Sequence, residues 1–325
     1  MNLLRRKVLL LSIGAGAWRL VPRPARADSL APRPVHIVLG FAPGGVGDIA
    51  LRLIAPSLQQ RLGQPVVVDN RPGAGGNLAT EAVVEARPDG GTLILVGPRN
   101  AIDATLYKNL PFDFIRDIAM VAGIMQSPLV MVTNPAFAAK SVAEFISYAK
   151  ANPGKTNMAS AGNGTAQHLA GELFMMMTGV SMVRVPYRGD PAALADLVAG
   201  RVQLMFAPIV DAIAFLRTGR LRALAVTSLK PSPALPGIPP LAAIVPGYEV
   251  SLWLGLGAPK ATPAGTVAVL NKAVNASLAE PTIANRIRDL GGEPMIMRPS
   301  ELDAFVAADT QRWAKAVKFS GAKVD

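Results

Sequence analysis

The 325-residue chain has no cysteine and only two histidines, His36 and His168. Without thiols there is no disulfide framework, no thiolate nucleophile and no Cys-ligated zinc or iron–sulfur centre. Two imidazoles are too few for a multi-histidine metal site. The sequence also contains no G-x-S-x-G elbow, no G-x-x-x-x-G-K-[ST] phosphate loop and no H-E-x-x-H pair. Most hydrolase and metalloenzyme chemistries therefore lack their usual groups, and no motif calls for a metal or any other cofactor. No apolar run approaches the ~20 residues that span a bilayer, so the chain is expected not to be membrane-spanning.

What the sequence does have is apolar content (50%), 30 Gly, 28 Pro and a net charge of +11. That surplus suggests nucleic acid or an anionic membrane as partner only if it sits on the folded part. Much of it does not. Arg5-Arg6-Lys7 form a basic start, Val8 to Trp18 an apolar run of 11 residues, and Ala25-Arg26-Ala27 a small-x-small cleavage pattern. Residues 1–27 thus read as a removable signal peptide cut near Ala27, with the general secretory and twin-arginine routes both open. Removal leaves 27 basic and 22 acidic residues, a net +5 spread over 298 positions. No Lys/Arg block is interleaved with aromatics, and nucleic acid drops out as the expected partner.

Short β-rich runs alternate with helical patterns, the signal for parallel strands joined by crossover helices. Strands are predicted at residues 35–39, 65–68, 92–96, 129–133, 156–160, 182–185, 203–206, 221–226 and 252–257. The helix predicted at 48–62 contains Pro56, which removes a helical hydrogen bond and is expected to kink or split it. Ser141 and Glu144 are spaced as a capping box. Six prolines between Lys230 and Pro246 predict an irregular surface connection. The composite is α/β with two doubly wound lobes: residues 28–131 begin lobe 1, 132–250 form lobe 2, and 251–325 return to lobe 1.

Four strand-to-helix turns are glycine-rich: Pro43-Gly44-Gly45-Val46-Gly47-Asp48, Pro72 to Asn77, Ser160-Ala161-Gly162-Asn163-Gly164-Thr165, and Tyr187-Arg188-Gly189-Asp190. Glycine lets backbone approach a guest closely, and the helix start behind it presents unpaired N–H groups with partial positive charge, a setting for carboxylate or phosphate. Each loop also has a purely conformational reading. Asp48 and Asn77 suit helix capping, and His168, in the first turn of its helix, suits a hydrogen bond to its own loop. Arg188 can grip a carboxylate bidentately or stand in solvent.

These segments resemble the extracytoplasmic solute receptors of tripartite tricarboxylate transporters, the Bug family. The resemblance rests on Phe41-Ala42-Pro43-Gly44-Gly45 with Asp48, Leu62 to Val68 running into Asn70-Arg71-Pro72-Gly73-Ala74-Gly75-Gly76-Asn77, and Pro88-Asp89-Gly90. It continues through Ala159-Ser160-Ala161-Gly162 with Gly164 and His168, Val185-Pro186-Tyr187-Arg188-Gly189, Gly219 to Val226, and Ala258-Pro259 with Thr262-Pro263. It implies a two-lobed, type II-like periplasmic-binding-protein fold, each lobe a doubly wound mixed sheet with flanking helices and the ligand cleft between lobes. It further implies a non-catalytic, monomeric periplasmic receptor that delivers a small organic carboxylate (a di- or tricarboxylate, an acidic amino acid or an aromatic acid) to integral-membrane transporter subunits. Carried over by position, the ligand-contacting residues are Ala42, Pro43, Gly44, Gly45, Val46, Gly47 and Asp48; Gly97, Pro98, Asn100 and Ala101; Ser160 to Thr165 with His168; and Tyr187, Arg188, Gly189 and Ala207. Ala207 replaces a common acidic residue, Arg99 adds a cation where small hydroxyl residues are frequent, and the segment 239–245 is altered. A carboxylate-processing enzyme with His168 as base and Asp48 or Asp211 as orienter, and a ligand sensor for a membrane signalling partner, are the alternatives.

Overall fold

The computed structural model describes residues 33–41 and 43–322. The expected signal peptide at 1–27 and Ala42 lie outside these residues. In chain order the elements are β1 (Val35–Leu39), α1 (Val46–Leu62), β2 (Val66–Asn70), α2 (Asn77–Val84), β3 (Thr92–Val96), α3 (Pro98–Leu106), α4 (Phe114–Asp117) and β4 (Ile118–Thr133). There follow α5 (Val142–Ala151), β5 (Asn157–Ser160), α6 (Ala166–Thr178), β6 (Val183–Pro186), α7 (Asp190–Val198), β7 (Leu204–Pro208), α8 (Ile209–Arg217) and β8 (Arg222–Val226). The chain ends with β9 (Ser251–Pro259), α9 (Ala264–Leu278), α10 (Pro281–Asp289), β10 (Glu293–Pro294) and α11 (Pro299–Ser320).

The strands form one curled mixed sheet in the order β2-β1-β3-β9-β4-β7-β5-β6, with β8 and β10 also on β4. Parallel pairs β1–β2 and β1–β3 are made by crossover helices on one side of β4, and β5–β6 and β5–β7 on the other. The two halves meet in β4. Its first part, Ile118 to Pro128, pairs antiparallel with β9, and its last part, Leu129 to Thr133, with β7 and β8. A strand of 16 residues thereby belongs to both halves, and β9 sits between β3 and β4, next to strands far from it in sequence.

Pro56 does not split α1, which runs unbroken over 17 residues. A proline in a helix interior costs about 3 kcal/mol, whereas Leu51, Ile54 and Leu58 are buried around it, at about 1.5–3 kcal/mol each. Ser57 adds hydrogen bonds of 2.7 Å to Ser277 and 2.6 Å to Glu280. Tertiary packing therefore outweighs the local break. The Ser141–Glu144 pair also departs from the expected box: Ser141 Oγ accepts from Glu144 N–H, but the Glu144 carboxylate reaches one residue further back, to Lys140 N–H at 2.8 Å.

The last helix ties the halves together. Leu302 and Val306 of α11 pack in a core with β3 and Trp253 of β9, and Trp313, Ala316 and Val317 pack in another with α6 and β7. At the junction, Asp309 Oδ2 accepts from both indole N–H groups, Trp253 and Trp313, each at 2.8 Å. Asp309 is buried, and that burial pushes its carboxyl above the usual range against the pull of Trp253 and Arg312.

Candidate functional site

A cavity of about 400 Å³ lies between the two halves of the sheet. Its floor is apolar, built from Met125 of β4 and Leu252, Trp253 and Leu254 of β9, the strands that join the halves. One wall carries Phe41, Val46 and the start of α3 from Gly97 to Arg99; the other carries Gly164 to Gln167, Asp190, Pro208, Val210 and Asp211. Five helix starts, those of α1, α3, α6, α7 and α8, reach it, bringing N–H groups and the positive ends of helix dipoles. Such a space takes a small molecule with an apolar body and few polar ends.

Of the residues carried over by position, Val46, Gly97, Pro98, Gly164 and Thr165 line the cavity. Several others shape the loops that do. Gly44 and Gly45 are exposed in the turn before α1, beside Pro43, and Gly44 has φ +87°. Gly47 packs so closely that a Cβ there would lie 2.7 Å from Leu95 Cδ2. Asp48 is the third residue of α1, not its cap, and its carboxylate turns back to accept the Gly44 N–H at 3.0 Å while Arg52 Nε donates to both oxygens. The Arg52 guanidinium, then the Gly44 N–H, hold that carboxyl below the usual range. Asp48 is thus a loop clamp and is not among the cavity's lining residues.

Asn100 has a comparable part on α3. Its Oδ1 accepts the Gly97 N–H at 3.0 Å and its Nδ2 donates to Thr80 Oγ1 at 3.1 Å, while Ala101 is fully buried beneath. Asn77 does not cap its own helix; its amide donates to Asp103 Oδ2 at 3.0 Å, tying α2 to α3. His168 is 1% exposed. Its Nδ1 accepts the Gly164 N–H at 3.1 Å, which leaves the ring proton of the neutral form on Nε2, 3.3 Å from Glu172 Oε1. The histidine therefore holds the Gly162–Thr165 turn from behind. Thr165 caps α6 through His168 N–H, and its hydroxyl donates to Gly162 C=O at 2.9 Å. Ser160 is buried at the end of β5, with Ala161, Gly162 and Asn163 in the turn that follows.

The remaining positions are not among the cavity's lining residues. The Tyr187 hydroxyl donates to Asp196 at 2.8 Å, Arg188 is exposed beside Gly189, and Ala207 is fully buried in the core beside α7 and α8. The cation at the cavity is instead Arg99, whose Nε lies 2.8 Å from Asp103 Oδ1. Burial pushes the Asp103 carboxyl up to about 6 although Arg99 and Asn77 pull it down. Asp190 and Asp211 enter from the far wall; shielding from water, then the neighbouring Asp211, raise Asp190 to about 6, and shielding raises Asp211. Sequence reasoning placed Asp190 in a glycine-rich turn without a ligand role and passed over Gln167 and the β9 floor, because apolar strand residues read as core. Among the described residues no group of three His, Asp or Glu is placed to hold a metal, and no helix is long and apolar enough to cross a membrane.

A family model described as the tripartite tricarboxylate transporter family receptor matches residues 50–321. Protein BugT of Bordetella pertussis is 34% identical over 307 residues, covering 94% of each chain. Among solved structures, an R. palustris protein with adipate is 35% identical with a TM-score of 0.74, covering 90% of this chain and 98% of its own. MatC from Rhodopseudomonas palustris with bound malate is 33% identical with a TM-score of 0.70, covering 88% and 99%.

Proposed function

Because this chain belongs to the receptor family of the tripartite tricarboxylate transporters, we propose that it is an exported, non-catalytic receptor that captures a small organic carboxylate in the periplasm and hands it to integral-membrane transporter subunits. The observation that carries this reading is the cavity between the halves, where Arg99 and the starts of α1, α3 and α6 surround an apolar floor. The helix starts and the guanidinium favour an anionic group, and the floor favours a carbon skeleton. The relatives bound to adipate and malate support the same class of guest. In this reading residues 28–131 and 251–325 form one lobe and 132–250 the other, and capture is closure of the monomer about β4 and β9.

The burial of His168 supports a receptor over an enzyme, since its two ring nitrogens face Gly164, Glu172 and Arg184 and not the cavity. Delivery to a transporter rests on the family alone. Mass spectrometry of ligand released from protein purified from the periplasm tests the proposal, with calorimetry of the released compound as the second measurement. An unchanged carboxylate that rebinds is expected; conversion of that compound by the purified protein would overturn the receptor reading.

A further inference from the structure

The charges around the cavity are ill suited to a guest with a carboxylate at each end. Arg99 is the one basic residue among those lining it, and it is already paired with Asp103. Facing it from the other half are Asp190 and Asp211. Asp190 meets only a neutral group, the Gln167 amide, at 3.1 Å to each oxygen. Asp211 has no hydrogen-bond or ion-pair partner among the described residues. Each acid stands in the first turn of its helix, α7 or α8. There the macrodipole and free N–H groups favour an anion, so the chain's own carboxylates already occupy the anion-favouring ends of both helices.

A dicarboxylate spanning the cleft must place its second carboxylate beside two aspartates that have no basic partner among the described residues. Asp190 is half-buried and Asp211 exposed, and like charges brought together beside them repel. A protonated amine in the same place meets two acceptors and satisfies both. On the strength of the receptor reading above, we propose that the guest is an amino-carboxylate. Its carboxylate lies toward the helix starts and Arg99, its apolar body crosses Met125 and Trp253, and its ammonium group sits at Asp190 and Asp211. The cleft then discriminates by end group: an amine at the far end is selected and a second carboxylate is rejected.

Matched trios of ligands test this by calorimetry on the mature protein: butyrate, succinate and 4-aminobutyrate; hexanoate, adipate and 6-aminohexanoate; benzoate, terephthalate and 4-(aminomethyl)benzoate. In the trio of fitting length, the amino acid is expected to bind at least about tenfold more tightly than the diacid. In Asp190→Asn/Asp211→Asn the order should reverse, with the diacid binding at least as tightly as the amino acid. A wild-type preference for the diacid overturns the proposal and leaves the receptor reading standing, whether or not the double variant folds. Survival of the amine preference in the folded double variant also overturns it. Failure of every carboxylate in all three trios to bind overturns the receptor reading itself.

Discussion

Replacing Asp309 with alanine should loosen the joint between the two halves. One carboxylate oxygen accepts two indole N–H groups at 2.8 Å, from Trp253 on β9 and Trp313 on α11, and both indoles are buried. Removing that acceptor leaves two buried donors unpaired, at about 1–3 kcal/mol each. Relief of the buried carboxylate's desolvation, the main cause of its raised pKa, returns part of this. Arg312 retains Glu249 at 3.0 Å, so no cation is stranded. The net loss should be about 2–4 kcal/mol, which at 2–4 °C per kcal/mol for a chain of this size lowers Tm by roughly 4–16 °C. Asp309→Asn separates acceptor from charge: its one oxygen can take both indoles, while its amide faces Arg312 across the present 3.2 Å ion pair. It should recover at least half the loss. Calorimetric unfolding of the mature protein and the two variants measures this. A loss below about 1 kcal/mol for alanine, or equal losses for alanine and asparagine, refutes the account.

Four further outcomes are expected. Arg99→Ala should weaken binding of a carboxylate ligand by about tenfold or more, and Arg188→Ala by less than about twofold, because only Arg99 lines the cavity; titration calorimetry gives the ranking. Gly40→Ala should lower Tm and impair binding, since its Cβ would lie 2.6 Å from Gly76 Cα and neither backbone can retreat without opening the loops beside Phe41. For pH, Asp103 and Asp190 have carboxyls raised to about 6 in the fold, so the native state binds more protons than the unfolded chain between about pH 4 and 6. Their contribution to stability therefore grows as pH falls through that window, and Asp103→Asn should flatten the profile of denaturation midpoints there. His168→Phe should cost about 1–3 kcal/mol by leaving the Gly164 N–H without its acceptor, as read by urea denaturation; undiminished stability would remove His168 from its loop-holding role.

How far the fold could be read in advance depended on range. Alternating strands and helices were legible because period and punctuation are local: Val35–Leu39, Thr92–Val96 and the helix closed by Gly179 follow the pattern of the residues themselves. The glycine-rich turns were legible for the same reason, as was the loop-holding alternative for His168. Pro56 was misread because the packing that overrides it comes from α9, more than two hundred residues away, through Ser57 and Ser277. Asp48 and Asn77 were recognised as polar residues at helix starts, but the partners they chose, Gly44 and Asp103, depend on how the chain turns back.

By itself the sequence determined the chemistry that is absent, the alternation of elements and the set of glycine-bearing helix starts, all properties of composition and near neighbours. Only the tertiary structure decided which of those loops share a cavity. That choice follows from β4 running through both halves, β9 inserting beside it and α11 spanning the joint. These contacts bring Arg99, Asp190 and Asp211 around one floor while leaving Arg188 exposed outside it. Charge selection at a site is a matter of distance in space, and a linear pattern carries no measure of that distance.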